Sequence, residues 1–339
     1  MKKRYKVGII PGDGIGREVI RAASTVLEAV NDIADKFCLD FERMETGDVA
    51  VEKYGNPFPK ETIEGIKETS AVLFGAAGGP NAPQVIQGLR RTFDLYANVR
   101  PIKAFPGTPV IHPQTNFIIV RENTEGLYRG EGYIEGEKYV NLRVFTKKGM
   151  ERILRFCFNF AQKEGRKKVT FTHKAVLLTF TDQPMKEMFY KIAKEFPGIE
   201  AEDMEVDNCA MRIVMKPEQF DVIFAENANG DILSDVGAGV IGGLGFVAGA
   251  NTGDSMAVFE PIHGSAPKHA GKNIANPVAA IMAAKMMINY LGESEMAFKM
   301  EQAVKEVLLE GKVRTYDFGG TSSTTEVGEA IAKKLCQNG

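Results

Sequence analysis

Short apolar runs alternate with amphipathic helical patterns along most of this 339-residue chain, and that alternation narrows the fold more than any other feature. Lys6 to Ile10 reads as a strand and Arg17 to Val30 as a helix; Thr62 to Glu68 reads as a helix and Ala71 to Phe74 as a strand. Phe117 to Val120 is a short strand of the fully buried kind. Met150 to Glu164 is helical, Lys168 to Phe171 extended, Gln183 to Glu195 helical and Asp221 to Phe224 extended. This rhythm predicts an α/β architecture, sheets with helices on their faces. Helical patterns follow at 277–291, 294–310 and 323–336. The Gly/Ala-rich stretch GGLGFVAGANTG (242–253) is expected to cross between domains.

Composition removes several classes of function. With 44% hydrophobic and 25% charged residues, the chain reads as soluble and globular. No apolar run approaches the roughly 18 residues of a membrane span. The start, MKKRYKVGII, is basic but has few apolar residues before GDGIG, so it reads as a strand and not as a signal peptide. A net charge of −2, with Lys and Arg dispersed, argues against nucleic acid as a partner. Cys38, Cys157, Cys209 and Cys336 stand far apart without a C-x-x-C pair. That usage suits a reducing cytoplasm and offers neither a disulfide framework nor a zinc site.

The segment VGIIPGDGIGREVI (7–20) looks at first like a dinucleotide-binding turn. The fingerprint places its third glycine three residues after the second; here Gly16 follows Gly14 by two. A strand, a tight turn and a helix are all the spacing supports. Between the strand at 117–120 and the helix at 150 lies YRGEGYIEGEKYVNLRVFTKKG, whose apolar positions (Tyr133, Ile134, Tyr139, Val140) flank Glu135-Gly136-Glu137. This is a β-hairpin pattern, either a surface hairpin or an arm that packs on a second subunit.

Candidate chemistry clusters at strand-to-helix junctions. Asp231 and Asp235 in NGDILSD are spaced i, i+4, one turn apart on a helix face, after the strand DVIF and a loop, AENANG. Two carboxylates that close repel unless a cation sits between them, and Mg²⁺ or Mn²⁺ prefers such oxygen donors. Asp207, in EVDNCA, is a third candidate. Arg90, Arg100 and Arg121 supply guanidiniums for substrate carboxylates. Tyr128 and Lys174 are candidate proton-transfer groups, the lysine being easier to deprotonate beside a cation. Taken singly, each residue reads more readily as something plain: a solvated acidic face, a surface ion pair, a half-buried tyrosine or a solvated lysine.

Taken together, PGDGIGREV, LRRTFDLYANVRP, RENTEGLY, THKA, VDNCAM, NGDILSD and FEPIHGSAPKHAGKNIANP resemble, in this order, the β-decarboxylating dehydrogenases: isocitrate, homoisocitrate and 3-isopropylmalate dehydrogenases. The resemblance covers nearly the whole chain and implies the fold of that family, not a Rossmann fold, with GDGIG as a turn beside the cofactor site. It implies a discontinuous large cofactor-binding domain (1–98 plus 252–339) and a small domain (99–251) with a dimer-building hairpin arm at about 129–146. It further implies a homodimer or higher oligomer with active sites shared between subunits. Arg90, Arg100 and Arg121 match the substrate arginines, Tyr128 the catalytic tyrosine and Lys174 the catalytic lysine. Asp207, Asp231 and Asp235 match the metal ligands, with Lys174 and Asp207 given by the second subunit.

The same resemblance assigns His263, Gly264, Ser265, Ala266 and Asn276 to the nucleotide. Relatives that prefer NAD usually carry an acidic residue after HGSAP; Lys268 and His269 stand there here, with Tyr316 matching NADP-using relatives. A lysine attracts a 2′-phosphate, so NADP is expected over NAD. Ile86 and Gln87 occupy positions that read the substrate's variable group, and Val176 stands where the family commonly has asparagine. The expected substrate is isocitrate or homoisocitrate, with 3-isopropylmalate as the alternative because Ile86 is apolar. A catalytically silent regulatory subunit is the alternative of another class.

Overall fold

The computed structural model describes residues 2–108 and 110–338; Met1 and Gly339, the ends of the expected large domain, lie outside the described residues. The chain opens with β1 (Lys3–Gly12), α1 (Gly16–Ile33), β2 (Phe37–Arg43), α2 (Gly47–Tyr54), α3 (Lys60–Lys67), β3 (Ala71–Ala76) and α4 (Ala82–Thr92). It continues through β4 (Ala97–Lys103), β5 (Asn116–Glu122), β6 (Gly132–Glu135), β7 (Lys138–Asn141), α5 (Lys147–Lys163), β8 (Lys168–His173) and α6 (Asp182–Ala193). Next come β9 (Glu200–Glu205), α7 (Val206–Met215), β10 (Val222–Ala225) and α8 (Asn227–Val240). The last stretch forms β11 (Ala248–Thr252), β12 (Ala257–Pro261), α9 (Val278–Tyr290), α10 (Ser294–Glu310) and α11 (Thr324–Asn338).

These elements fall into two compact units. The first comprises residues 1–93, 105–110 and 242–339; the second comprises 94–104 and 111–241. In the first, the strand order is β2-β1-β3-β12-β11, parallel except for the β11–β12 pair. That order differs from the doubly wound dinucleotide fold, where β1 lies between β2 and β4. Helix α1 turns Val19, Ile20, Ala23, Val26, Leu27 and Val30 inward and packs on α9 and α11. Helix α9 is apolar almost all round, as a helix enclosed by its neighbours must be.

The second unit has the order β4-β5-β10-β8-β9, with β4–β5 antiparallel and the rest parallel. A cluster of Phe158, Phe171, Phe189 and Phe224 fills its core, with ring centroids 5.2–5.5 Å apart along the chain of contacts. Strands β6 and β7 pair antiparallel as a separate hairpin through Gly136, whose φ of 57° suits the tight turn.

Candidate active site

The GDGIG turn has a packing explanation. Gly14 has φ +56°, and a Cβ there would lie 2.0 Å from the Ser265 carbonyl oxygen; at Gly78 one would lie 2.3 Å from Ser265 Oγ. The backbone amide of Ile15 donates to Ser265 O at 2.9 Å. The glycines thus let the loop after β12 approach the turn closely. Asp13 is buried and accepts from the amides of Asp48 (2.9 Å) and Gly78 (3.0 Å), fixing two neighbouring loops.

In the second unit, the β4–β5 register sets Asn98 opposite Arg121 and Arg100 opposite Ile119. Residues two apart on a strand point the same way, so Asn98, Arg100 and Arg121 share a face. Helix α8 packs on both strands. Gly230 makes this possible, since a Cβ there would meet Arg121 Cγ at 2.7 Å. Both arginines are buried. Arg100 bonds Asn98 Oδ1 (2.9 Å), Asp231 Oδ1 (3.2 Å) and Ser234 Oγ (2.5 Å). Arg121 also bonds Asp231 Oδ1 and donates to Asn227 Oδ1 through Nε (3.2 Å) and Nη2 (2.7 Å).

Tyr128 lies with its ring centroid 5.7 Å from the Arg121 guanidinium carbon. Burial, and then the charge of Asp231, hold its phenol above the usual range, so it keeps its proton. Partial burial and then Asp231 likewise push the Asp235 carboxyl up, against the pull of the two arginines.

Lys174 and Asp207 form a second cluster. Parallel pairing of β8 and β9 sets His173 beside Glu205, so Lys174 emerges next to the first turn of α7. Lys174 Nζ lies 2.7 Å from Asp207 Oδ1 and 3.3 Å from Glu205 Oε2. Asp207 first, and then Glu205 against a desolvation cost, raise the lysine above its ordinary range. Within one chain it is therefore held as ammonium, whereas the sequence reading expected neighbours that ease proton loss. Among the described residues, no group of three or more His, Cys, Asp or Glu is placed to hold a metal ion within one chain. Asp231 and Asp235 offer hard oxygen donors that fit Mg²⁺ or Mn²⁺. Asp207, whose side chain is 71% exposed, faces outward on the other cluster.

The expected nucleotide residues lie in the first unit. The loop 263–277 holds two ring nitrogens, His263 Nε2 and His269 Nδ1, that are buried without a hydrogen-bond partner. Burial keeps the His263 imidazole below its usual range, hence neutral. The rings of His269 and Tyr316 stack at 5.6 Å and 26°. Ala266 adopts φ +39°, uncommon for a residue with a side chain. Lys268 and Gly264 are exposed. Orphaned nitrogens beside a stacked pair fit a polar aromatic ligand such as a nucleotide. Asn276 is buried, and its amide is already committed to Val278 N (3.0 Å) and Asp317 Oδ2 (3.1 Å). A cleft of about 680 Å³ lies beside the same loop, lined by Asp13, Gly14, Arg17, Gly78 and Pro267 among others; of the expected nucleotide residues only Ser265 lines it. Arg90, Ile86 and Gln87 are half-buried on α4.

Sequence reasoning missed the residues that anchor these groups. Asn227 holds Arg121, Ser234 holds Arg100, and Glu226 caps α8 through the amides of Ala228 (3.1 Å) and Asn229 (3.0 Å). AENANG, expected to be a loop, contributes the first turn of α8, so Asp231 sits inside the helix and not at its opening. The local sequence carried no strong signal for this: Asn-Ala-Asn-Gly is a poor helix former and Glu is not a favoured cap residue.

The isocitrate/isopropylmalate dehydrogenase family model matches residues 6–331. The chain is 46% identical to 3-isopropylmalate dehydrogenase of Methanothermobacter thermautotrophicus, over 98% of this chain and 99% of that one. It is equally 46% identical to isocitrate/homoisocitrate dehydrogenase of Thermus thermophilus, over 98% of each. The crystal structure of isocitrate dehydrogenase from Methylococcus capsulatus superposes with a TM-score of 0.93 at 42% identity, covering 98% of this chain and 100% of that one. No helix among the described residues is long and apolar enough to cross a membrane. Fold, strand order and sequence agree: the chain belongs to the isocitrate/isopropylmalate dehydrogenase family and is a decarboxylating dehydrogenase.

Proposed function

We propose that this protein catalyses metal-dependent oxidative decarboxylation of a 2-hydroxy acid bearing a 3-carboxylate, with isocitrate or homoisocitrate as the leading substrates and NADP⁺ as the leading oxidant. The observation that carries this reading is the pair of buried arginines converging on Asp231 beside Tyr128. Buried guanidiniums on one face make a site for carboxylates, and Arg90 is assigned the same role. Asp231, Asp235 and a second subunit's Asp207 are assigned the cation. When bound there, a divalent cation would supply Lewis-acid polarisation of the substrate's oxygens, and a nicotinamide would supply the hydride acceptor.

The chain's own residues do the rest. Lys174 takes the hydroxyl proton; drawing Asp207 away to a cation withdraws the contact that most favours its ammonium form. Tyr128, kept protonated, gives a proton to the carbon that loses CO₂. His263, Gly264, Ser265, Ala266, His269, Asn276 and Tyr316 are assigned to the nucleotide, and Lys268 to the 2′-phosphate that distinguishes NADP from NAD.

Residues 1–98 with 252–339 are assigned as the cofactor domain and 99–251 as the small domain. The protein is assigned as a cytoplasmic homodimer with shared sites. Exposed apolar side chains support a partner surface: Ile134 (73%) and Tyr139 (83%) on the hairpin, and Ile232, Met211 and Met215 on α8 and α7. The second substrate reading is 3-isopropylmalate, favoured by the apolar Ile86 and the relative of that name. A silent subunit is disfavoured by the intact Tyr128, Lys174 and three aspartates.

One assay tests this: NADPH and NADH formation from isocitrate, homoisocitrate, 3-isopropylmalate and malate, with Mg²⁺, with Mn²⁺ and with excess chelator. Strong turnover of one 3-carboxylated substrate, abolished by chelation, is expected. Turnover that survives complete chelation contradicts the reading.

A further inference from the structure

We propose that Arg143 is a positioning residue that ties the loop carrying Lys174 to the capped start of α8, which carries Asp231 and Asp235. It lies between β7 and α5, at the base of the hairpin, where Leu142 N bonds Glu131 O (2.8 Å) and Gly126 N bonds Val144 O (2.9 Å). Its side chain is 14% exposed and meets two carboxylates that are almost completely buried, Asp182 (2%) and Glu226 (4%). Nη1 donates to Asp182 Oδ1 at 2.5 Å and to Thr181 Oγ1 at 2.5 Å; Nη2 lies 3.6 Å from Glu226 Oε1; the guanidinium carbon sits 4.8 Å from the centre of the Phe145 ring.

Each carboxylate is also bound to backbone that matters. Asp182 uses its other oxygen, Oδ2, to accept the amide of Lys174 at 2.8 Å, so one carboxylate joins Arg143 to the lysine's own main chain. Glu226 accepts the amides of Ala228 and Asn229 and so fixes the first turn of α8. One cation thus bridges two buried acids, each holding the backbone of a different cluster. Alone, either acid would be an uncompensated buried charge, which drives rearrangement or protonation. Arg143 touches neither cluster's reacting side chains, so its influence passes through Asp182 and Glu226. This inference rests on the roles proposed for Lys174 and the α8 aspartates. If Lys174 serves the partner's site, Arg143 links groups working in two different sites of one dimer, from the hairpin base.

The test compares the full-length wild type with Arg143→Met, Arg143→Lys and the double variant Arg143→Met/Asp182→Asn. Amide hydrogen exchange in Arg143→Met is expected to rise about tenfold or more at Lys174 and in the first turn of α8, and to stay unchanged in α1 and α9. With the best 3-carboxylated substrate, kcat is expected to fall about a hundredfold while KM changes less than about threefold, because displacement of a proton acceptor by about 1 Å costs the chemical step and not ground-state binding. Arg143→Lys should fall between. The double variant should regain part of the lost melting temperature, since only Glu226 is left as an unpaired buried acid instead of two, without regaining kcat. Unchanged exchange at Lys174 in both single variants would overturn the bridge. Faster exchange with unaltered kcat, or kcat that recovers together with stability, would reduce Arg143 to a structural ion pair and overturn its positioning role. A wild type inactive on all 3-substituted malates would instead refute the proposed function, and the exchange comparison alone would still decide whether the bridge exists.

Discussion

Two charged clusters of the second unit use the same ingredients and reach opposite states. Around Asp231, two guanidiniums are buried to 5% and 2% side-chain exposure and bound by Asn98, Asn227 and Ser234. Around Lys174, the ammonium is 27% exposed and its main partner, Asp207, 71% exposed. The first cluster is buried and fixed by several hydrogen bonds at once, which suits the proposed carboxylate receptor; its desolvation is offset by those bonds. The second is held by two partly solvated ion pairs, from Lys174 to Asp207 and to Glu205, which contribute little to stability and can be exchanged for another partner. Under the proposed roles, the difference teaches that one chain fixes two of its assigned substrate arginines by burial, while Lys174 and Asp207 stay in solvated contact, open to a partner's site.

Substitutions probe this contrast most sharply. Arg121→Met should cost both function and fold: about a thousandfold in kcat/KM and about 3 kcal/mol of stability, because it leaves buried Asn227 without its donors and strips Asp231 of one of its two guanidiniums. Denaturant melts and steady-state kinetics check it, and full stability would contradict the rigidity assigned to this cluster. Lys174→Met should separate the two effects, lowering kcat about a hundredfold while stability moves by less than about 1 kcal/mol. Adding charge to the hairpin, as in Ile134→Glu with Tyr139→Glu, should weaken subunit association at least about tenfold and carry activity down with it. Sedimentation and activity measured across protein concentrations would show whether the two fall together.

A smaller effect is expected at the nucleotide loop. Lys268→Asp should move the ratio of kcat/KM for NADP⁺ over NAD⁺ about tenfold toward NAD⁺; an unmoved ratio would remove Lys268 from the recognition. The smallest effect concerns the support beneath Lys174. Burial pushes the Asp203 carboxyl up, but bonds from Lys186, Tyr190 and His173 outweigh it and leave it below its usual range. A depressed carboxylate adds stability above its unfolded value of about 3.9, and that contribution disappears as pH falls through the folded value. Asp203→Asn should therefore be less stable than the wild type near pH 6, with the gap closing below about pH 4. Melting temperatures at the two pH values read this directly.

How much of this was legible in the sequence follows from where each signal resides. Alternating apolar runs exposed β1, β3, β5, β8 and β10 because these strands are buried on both faces. Strands β2 and β9 lie at the ends of their strand orders and carry polar residues, as in EAEDME, so periodicity missed them. Strand β4 was hidden by Arg100 and Pro101 in its middle. The spacing of Asp231 and Asp235 could be read directly, since one helix sets it. The meeting of Arg100 with Arg121 could not, because it depends on a strand register that no local pattern encodes. The glycines of GDGIG were visible, but the reason for Gly14, the approach of Ser265, lies some 250 positions away in the chain, and Gly12 and Gly16 are crowded by Ala76 and Pro11.

The most direct test of the central claim, that each cation and proton-transfer centre is completed across two chains, is a mixing experiment. Asp231→Asn and Lys174→Met are each prepared as inactive proteins, dissociated together and reassembled. If sites are shared, random reassortment yields hybrids with one intact site, and about a quarter of wild-type activity returns. If the mixture stays as inactive as its parents despite verified hybrid formation, each site is built within one chain and the account is wrong.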